Sequence, residues 1–181
     1  AIGIDEVRAA LAATGFAVGP GAVKANTNGL RFRQLYVNGL RAVRARTPNR
    51  DNDLDMGPYF WLRGWDVPGR RIRIDPASAV GGVLSPGAEM VVKSHWATAR
   101  VHPGSLVPEG GETFLTPVER DRAKLFDTPY FPMEPDQTYY FENAPEFLDA
   151  PGEWFLDAAA KTVRYRTRPG ETAASLSAYV P

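Results

Sequence analysis

YYFENAPEFLDAPGEWFLDAAAKTVRYRTR, residues 139–168, carries the clearest strand-and-turn pattern in the chain. Tyr139, Tyr140 and Phe141 are aromatics of high β propensity and predict a strand. Asn143, Ala144 and Pro145 interrupt it. Pro151-Gly152 supplies a turn, with Pro setting φ at the first corner and Gly accepting the positive φ of a type II second corner. Residues 153–157 (EWFLD) predict a second strand, and the alternation in residues 162–166 (TVRYR) a third. Strand, corner, strand, turn, strand is an all-β pattern. Nothing in it is a catalytic signature.

Outward from that stretch, the composition agrees. The chain has 181 residues, a length that suits one domain, or one domain with a small appendage, and buries roughly 70 % of the unfolded surface. With 17 Gly and 16 Pro placed without a period, it has the punctuation of a turn-rich β protein. Lys plus Arg and Asp plus Glu are balanced at 21 each, so no polyanion surface is indicated and no nucleic acid is expected as partner. Cys is absent, which excludes disulfides, thiolate metal sites and a Cys nucleophile. No apolar run reaches the ~20 residues of a membrane span, and no membrane association is expected. The chain starts at Ala1 without a basic-then-apolar leader, and a processed or excised fragment is expected.

Along the chain, residues 4–13 predict one short N-terminal helix, with Ile4, Val7 and Leu11 on one face and Gly15 as its stop. It reads as a packing helix over a sheet edge, with a partner-binding helix as the alternative. Residues 32–46 (FRQLYVNGLRAVRAR) predict a hairpin about Asn38-Gly39, a type I′ turn signal. That turn sets Val37 opposite Leu40 and Leu35 opposite Ala42 on a face directed into the core. It also sets Arg33 opposite Arg44, a like-charge pair answered by solvent or a carboxylate. Asp51, Asp53 and Asp55 alternate in a calcium-like spacing, making Ca2+ the one ion the sequence suggests. Met56 stands where a calcium loop needs Gly, and Leu62 where it needs Glu, so a solvated acidic loop competes with that reading. No other cofactor is expected.

Tyr59, Phe60, Trp61 and Trp65 form an aromatic patch. Tyr59, Trp61 and Trp65 are candidate carbohydrate-binding residues, because aromatic rings stack on sugars; core filling is the competing reading. Residues 71–75 (RIRID) predict a half-buried strand with Ile72 and Ile74 inward. Residues 89–101 (EMVVKSHWATARV) predict a central strand containing a buried, satisfied His95 rather than a proton carrier. A short strand is expected at 114–118 and a charged surface segment at 120–124. No phosphate loop, nucleophile elbow, zincin or dinucleotide motif occurs, and no catalytic residue is assigned.

Three segments carry a family resemblance: FRQLYVNGLRAVRARTPN (32–49), VKSHWATARV (92–101) and YYFENAPEFLDAPGEWFLDAAAKTVRYRTRPGE (139–171). The L-D-x-P-G-E-W order and the closing R-P-G-E are its most specific parts. Together they resemble a β-sandwich-like module inserted in bacterial secreted proteins built as right-handed parallel β-helix repeats. Many of those are carbohydrate-active, including β-helix glycoside hydrolases. The resemblance implies an antiparallel β-sandwich, jelly-roll-like, over residues 28–181, preceded by a helix and lead-in at 1–27. It implies a secreted or periplasmic location, a β-helix domain of a parent chain as partner, and a polysaccharide or oligosaccharide as ligand. The expected function is that of a non-catalytic accessory module supporting the catalytic solenoid or its substrate cleft. An autonomous carbohydrate-binding module is the alternative, and a small carboxylate hydrolase using His95 a further one. No solenoid coils follow residue 171 in this sequence, so the parent protein, not this chain, is where glycoside hydrolase activity is expected.

Overall fold

A computed structural model describes residues 17–19, 22–27, 29–50, 57–78, 84–129, 131–134 and 136–181. The predicted helix at 4–13 and the acids Asp51, Asp53 and Asp55 lie outside the described residues. The described residues are mostly β, with one helix, several antiparallel sheets and no barrel among them, consistent with the sandwich-like all-β class read from the sequence. In chain order the strands begin with β1 (Ala17–Gly19), β2 (Ala22–Asn26), β3 (Tyr36–Val37), β4 (Leu40–Arg41), β5 (Val43–Arg44) and β6 (Arg46–Thr47). There follow β7 (Phe60–Trp61), β8 (Gly64–Asp66), β9 (Arg71–Ile74), β10 (Glu89–Lys93), β11 (Thr98–Val101), β12 (Pro103–Glu109) and β13 (Glu112–Pro117). Helix α1 (Glu119–Phe126) precedes β14 (Thr138–Glu142), β15 (Glu153–Asp157), β16 (Thr162–Tyr165) and β17 (Ala178–Tyr179). No described helix is long and apolar enough to cross a membrane.

The chain divides into two compact units, residues 1–46 with 143–181, and residues 47–142. The 139–168 stretch therefore does not form one meander. Its first strand, β14, belongs to the second unit, while β15 and β16 build the first. The turnover occurs at Asn143, whose φ of 60° is tolerated because a short polar side chain can bond locally. Asn143 donates its N–H to the Ala45 carbonyl at 2.8 Å, and its Oδ1 accepts the Leu156 N–H at 3.3 Å.

The first unit has a sheet of order β1-β2-β16-β15-β5 and a small sheet β17-β3-β4. The Asn38-Gly39 turn forms as predicted, with φ of 51° and 79° and Val37 opposite Leu40. Leu35, Val37 and Ala42 are buried, but Leu40 at the turn is 59 % exposed, so the core-facing stripe stops short of the hairpin tip. The hairpin is also shorter than its sequence suggests. The hairpin runs on to Ala42, whose N–H donates to the Leu35 carbonyl at 2.8 Å as predicted; beyond it β5 runs parallel to β15, pairing Val43 with Glu153 and Arg44 with Trp154. This parallel pair departs from the antiparallel expectation. Trp154 is the largest fully buried side chain, surrounded by Leu35, Val37, Leu156, Val163 and Tyr165. Phe32 stacks on it at 5.2 Å. Burying about 200 Å² of indole contributes roughly 5 kcal/mol.

The family signature acquires a physical reason in this unit. Gly152 has φ of +87°, and a Cβ there would meet Arg168 Nε at 2.9 Å. Its glycine thus gives both the turn and the space for the arginine of R-P-G-E. Arg168 Nη1 donates to the Tyr165 hydroxyl at 2.9 Å, and that hydroxyl donates to Glu171 Oε2 at 2.8 Å. Glu171 also accepts the Arg168 N–H at 2.8 Å and the Asn38 side-chain amide at 3.1 Å. The two ends of the motif are one hydrogen-bonded clasp.

The second unit contains two antiparallel arrays, β11-β10-β14-β7 and β12-β13-β9-β8. Alternation sends Ile72, Ile74, Leu115, Met90, Val92, Val101, Tyr139 and Phe141 inward, all fully buried. The Tyr139 hydroxyl meets Ser78 Oγ at 2.5 Å and accepts the Asp75 N–H at 3.3 Å, joining β14 to the turn after β9. Three expectations change here. Residues 89–101 form two strands joined by a turn, not one central strand, because Ser94 donates its N–H to the Ala97 carbonyl at 2.8 Å. Residues 119–126 are helical, with Asp121 and Leu125 buried, rather than a merely charged surface segment. Strand β12 was hidden in the sequence by Pro103 and Pro108, which an edge strand tolerates. The Gly110-Gly111 pair, both at positive φ, closes its hairpin with β13.

Candidate functional site

Antiparallel pairing places opposite residues on the same face of a sheet. Trp61 on β7 lies opposite Thr138 on β14, and Thr138 lies opposite Lys93 on β10. One strand spacing each way puts Trp61 and Lys93 about 10 Å apart with a threonine between them. Phe60, Tyr139 and Val92 fill the opposite, core-directed face in the next register row. Trp61 therefore points away from the core and is 64 % exposed. Tryptophan is on average highly buried, so an indole this exposed leaves a large apolar face open to contact.

Tyr59 stands two residues before Trp61, so strand periodicity returns it to the same side. It is half-buried, with its ring 5.9 Å from Tyr140. Lys93 Nζ donates to the Tyr59 hydroxyl at 2.9 Å and lies 4.5 Å from the ring centroid. Beyond Lys93 the chain turns through His95 and Trp96. His95 is exposed, not the buried histidine the sequence suggested: its Nδ1 lies 3.0 Å from Glu134 Oε2. A hairpin tip has no core to enter, which a period-2 reading through 89–101 could not show. Trp96 is 78 % exposed, its ring 5.9 Å from that of His95.

Trp65 sits elsewhere. On β8 opposite Ile72, it is half-buried, and its rings make edge contacts with Phe126 and Phe131 at 5.7 and 6.3 Å. Its Nε1–H donates to the Glu134 carbonyl at 3.1 Å and to Gln137 Oε1 at 3.0 Å. The buried Gln137 in turn donates to the Pro132 carbonyl at 2.6 Å. Trp65 thus holds Glu134, which faces His95, and Gln137. Of the three aromatic candidates, the structure brings Tyr59 and Trp61 together and gives Trp65 a supporting place. Sequence reasoning missed Lys93 and Thr138 as members of this face, and the exposed Trp96 at the neighbouring turn. The alternation of EMVVK marks Lys93 as outward, but only the β7–β14–β10 register shows what it stands beside.

The carboxylates are mostly committed to structure. Glu153 is buried, and burial pushes its carboxyl up to about 7, opposed by N–H donors from Ala150 and Arg46. Its oxygens accept from Ala150 at 3.0 Å, Asp149 at 3.2 Å and Arg46 at 3.3 Å, so it ties backbone segments together. Asp121 is also buried, which raises its carboxyl, but Lys124 and His102 outweigh burial and hold it at about 2. It accepts from the His102 backbone at 2.8 Å and ring at 2.7 Å. Neither arrangement is a pair of carboxyl groups facing each other across an open cleft, which glycoside hydrolysis requires. Among the described residues no three His, Asp or Glu side chains converge on a metal site.

The GH141 insertion domain family matches residues 20–168, most of the chain. The chain belongs to the GH141 insertion domain family. This insertion domain is also similar to a solved structure described as a glycoside hydrolase, with a TM-score of 0.77 and 27 % sequence identity. The likeness covers 92 % of this chain and 30 % of that one, so the insertion domain spans less than a third of the enzyme it resembles. No curated protein matches it.

Proposed function

We propose that this insertion domain is a non-catalytic accessory module of a longer, exported carbohydrate-active protein whose catalytic part is a right-handed parallel β-helix. The match to an insertion domain over residues 20–168 is the observation that carries the reading. Two features support it. The shifted, buried carboxylates Glu153 and Asp121 are spent on backbone and ion-pair contacts rather than aimed into a cleft. Trp61 and Trp96 are displayed rather than buried, and with Tyr59 they give the module a surface for handling glycan beside the parent's cleft.

The test uses the chain alone on a panel of insoluble polysaccharides, scoring both retention and release of reducing sugar. Retention of the chain without sugar release, and loss of retention in Trp61→Ala, is the expected outcome. Steady sugar release that a single carboxylate substitution abolishes would instead make the chain an enzyme and overturn the reading.

A further inference from the structure

We propose that the Trp61 face selects an acidic sugar, a uronic acid residue within a glycan, with Lys93 as the partner of its carboxylate. This rests on the glycan-handling reading above and adds a ligand class to it. The charge environment of Lys93 carries the argument. Most other described cations of the same unit are matched by acids, among them Arg63 by Asp75, Arg71 by Asp66 and Glu109, Arg100 by Glu142, and Lys124 by Asp121. Lys93 makes no ion pair among the described residues. One of its three N–H donors goes to the Tyr59 hydroxyl, and the ring of the same tyrosine lies beneath the ammonium. An aromatic contact steadies a cation without neutralising it. Glu134, on the hairpin side, is paired to His95.

The geometry suits one sugar unit. A ring stacked on the exposed indole of Trp61 lies over Thr138, and a substituent directed along the β7–β14–β10 row meets the Lys93 ammonium. A carboxylate there gains a charge-assisted bond on a half-buried cation, whereas a hydroxymethyl group of a neutral sugar gains an ordinary one.

Isothermal titration of the 181-residue chain with an oligogalacturonate and with its carboxyl-reduced, neutral counterpart tests this. Both ligands stack alike and differ only in the charged group. The expected result is a roughly five- to tenfold preference for the acidic oligomer in dilute buffer, shrinking in about 1 M NaCl. Lys93→Gln removes the preference and keeps weak binding of both, Lys93→Arg restores it, and Trp61→Ala weakens both ligands alike. Both substituted side chains reach the surface, and near-UV dichroism confirms that each variant is folded. Equal affinity for the two oligomers overturns the acidic-sugar inference while leaving glycan contact at Trp61 standing. Binding that Trp61→Ala does not change, or no binding of either oligomer, overturns the inference and the glycan-handling reading together.

Discussion

Exchange of Glu153 for glutamine removes one proton-binding group from the interior of the first unit and leaves the side-chain shape unchanged. The folded carboxyl titrates near 7 because burial opposes its charge, against 4.5 when it is unfolded. Between those values the native protein holds a proton that the unfolded chain has released. Stability contributed by this group is therefore full below pH 4.5 and declines as the pH rises through 7. The gap from 4.5 to about 7 corresponds to about 3 kcal/mol. The nearby Asp149 charge works in the same direction, whereas the backbone N–H donors work against it. The glutamine side chain of Glu153→Gln cannot ionise; its oxygen still accepts from Ala150 and Asp149, while its NH2 faces the Arg46 N–H and adds a cost that does not vary with pH. Urea unfolding of both proteins at about pH 4.5, 6 and 8 gives the difference curve. Exchange of the Ala45 and Arg166 amides, which donate to the Trp154 and Glu153 carbonyls, reports this unit directly. The variant should start less stable at about pH 4.5 by the cost of the lost acceptor, and the difference should then move by about 3 kcal/mol in the variant's favour by about pH 8. Parallel stability curves would refute the claim that Glu153 is buried at a cost to its charge.

Asp121→Asn should show the opposite pH dependence, because Asp121 titrates at about 2 when folded and at 3.8 in its ordinary state. Its contribution is present above pH 3.8 and fades toward about pH 2, so the penalty of the variant, about 2 kcal/mol at neutral pH, should shrink in acid. Gly152→Ala places a methyl group at φ +87° and against Arg168, and should cost about 1–3 kcal/mol in a thermal melt. Mutating Arg168→Ala beforehand should relieve the steric part of that cost and leave the backbone part. Trp65→Phe removes the N–H shared by Glu134 and Gln137, and should lower stability by about 1 kcal/mol. Amide exchange in residues 131–137 should rise in the same variant.

Local chemistry was legible in the sequence where one or two residues decide a conformation. Asn38-Gly39 set its own turn, the alternation of RIRID placed Ile72 and Ile74 inside, and the all-β class followed from aromatic strands between Pro and Gly. The division of the chain was not legible. Asn143 looks like an ordinary strand interruption, yet β14 and β15 on either side of it serve different units, because strand partners come from distant positions. The parallel pairing of Val43 with Glu153 spans a separation that no local pattern encodes. For the site, aromatic content pointed to residues 59–65, but composition could not separate Trp61 from Trp65. Both have the same side chain, and only the neighbours Phe126, Phe131 and Gln137 make one of them a support.

The first unit is assembled from residues on both sides of the second, and this orders events during synthesis. Residues 47–142 are contiguous, so every partner they need has been made once Glu142 emerges. The β2-β16-β15-β5 sheet must wait for Tyr165, and the clasp about Arg168 for Glu171. Until then Leu35 and Val37 have no Trp154 to cover them. A nascent chain of this kind carries a finished unit ahead of an open one, and the exposed early strands depend on prompt arrival of roughly the last forty residues. Slowing translation between the codons for residues 142 and 171 would lengthen that exposure without altering a single contact of the mature protein.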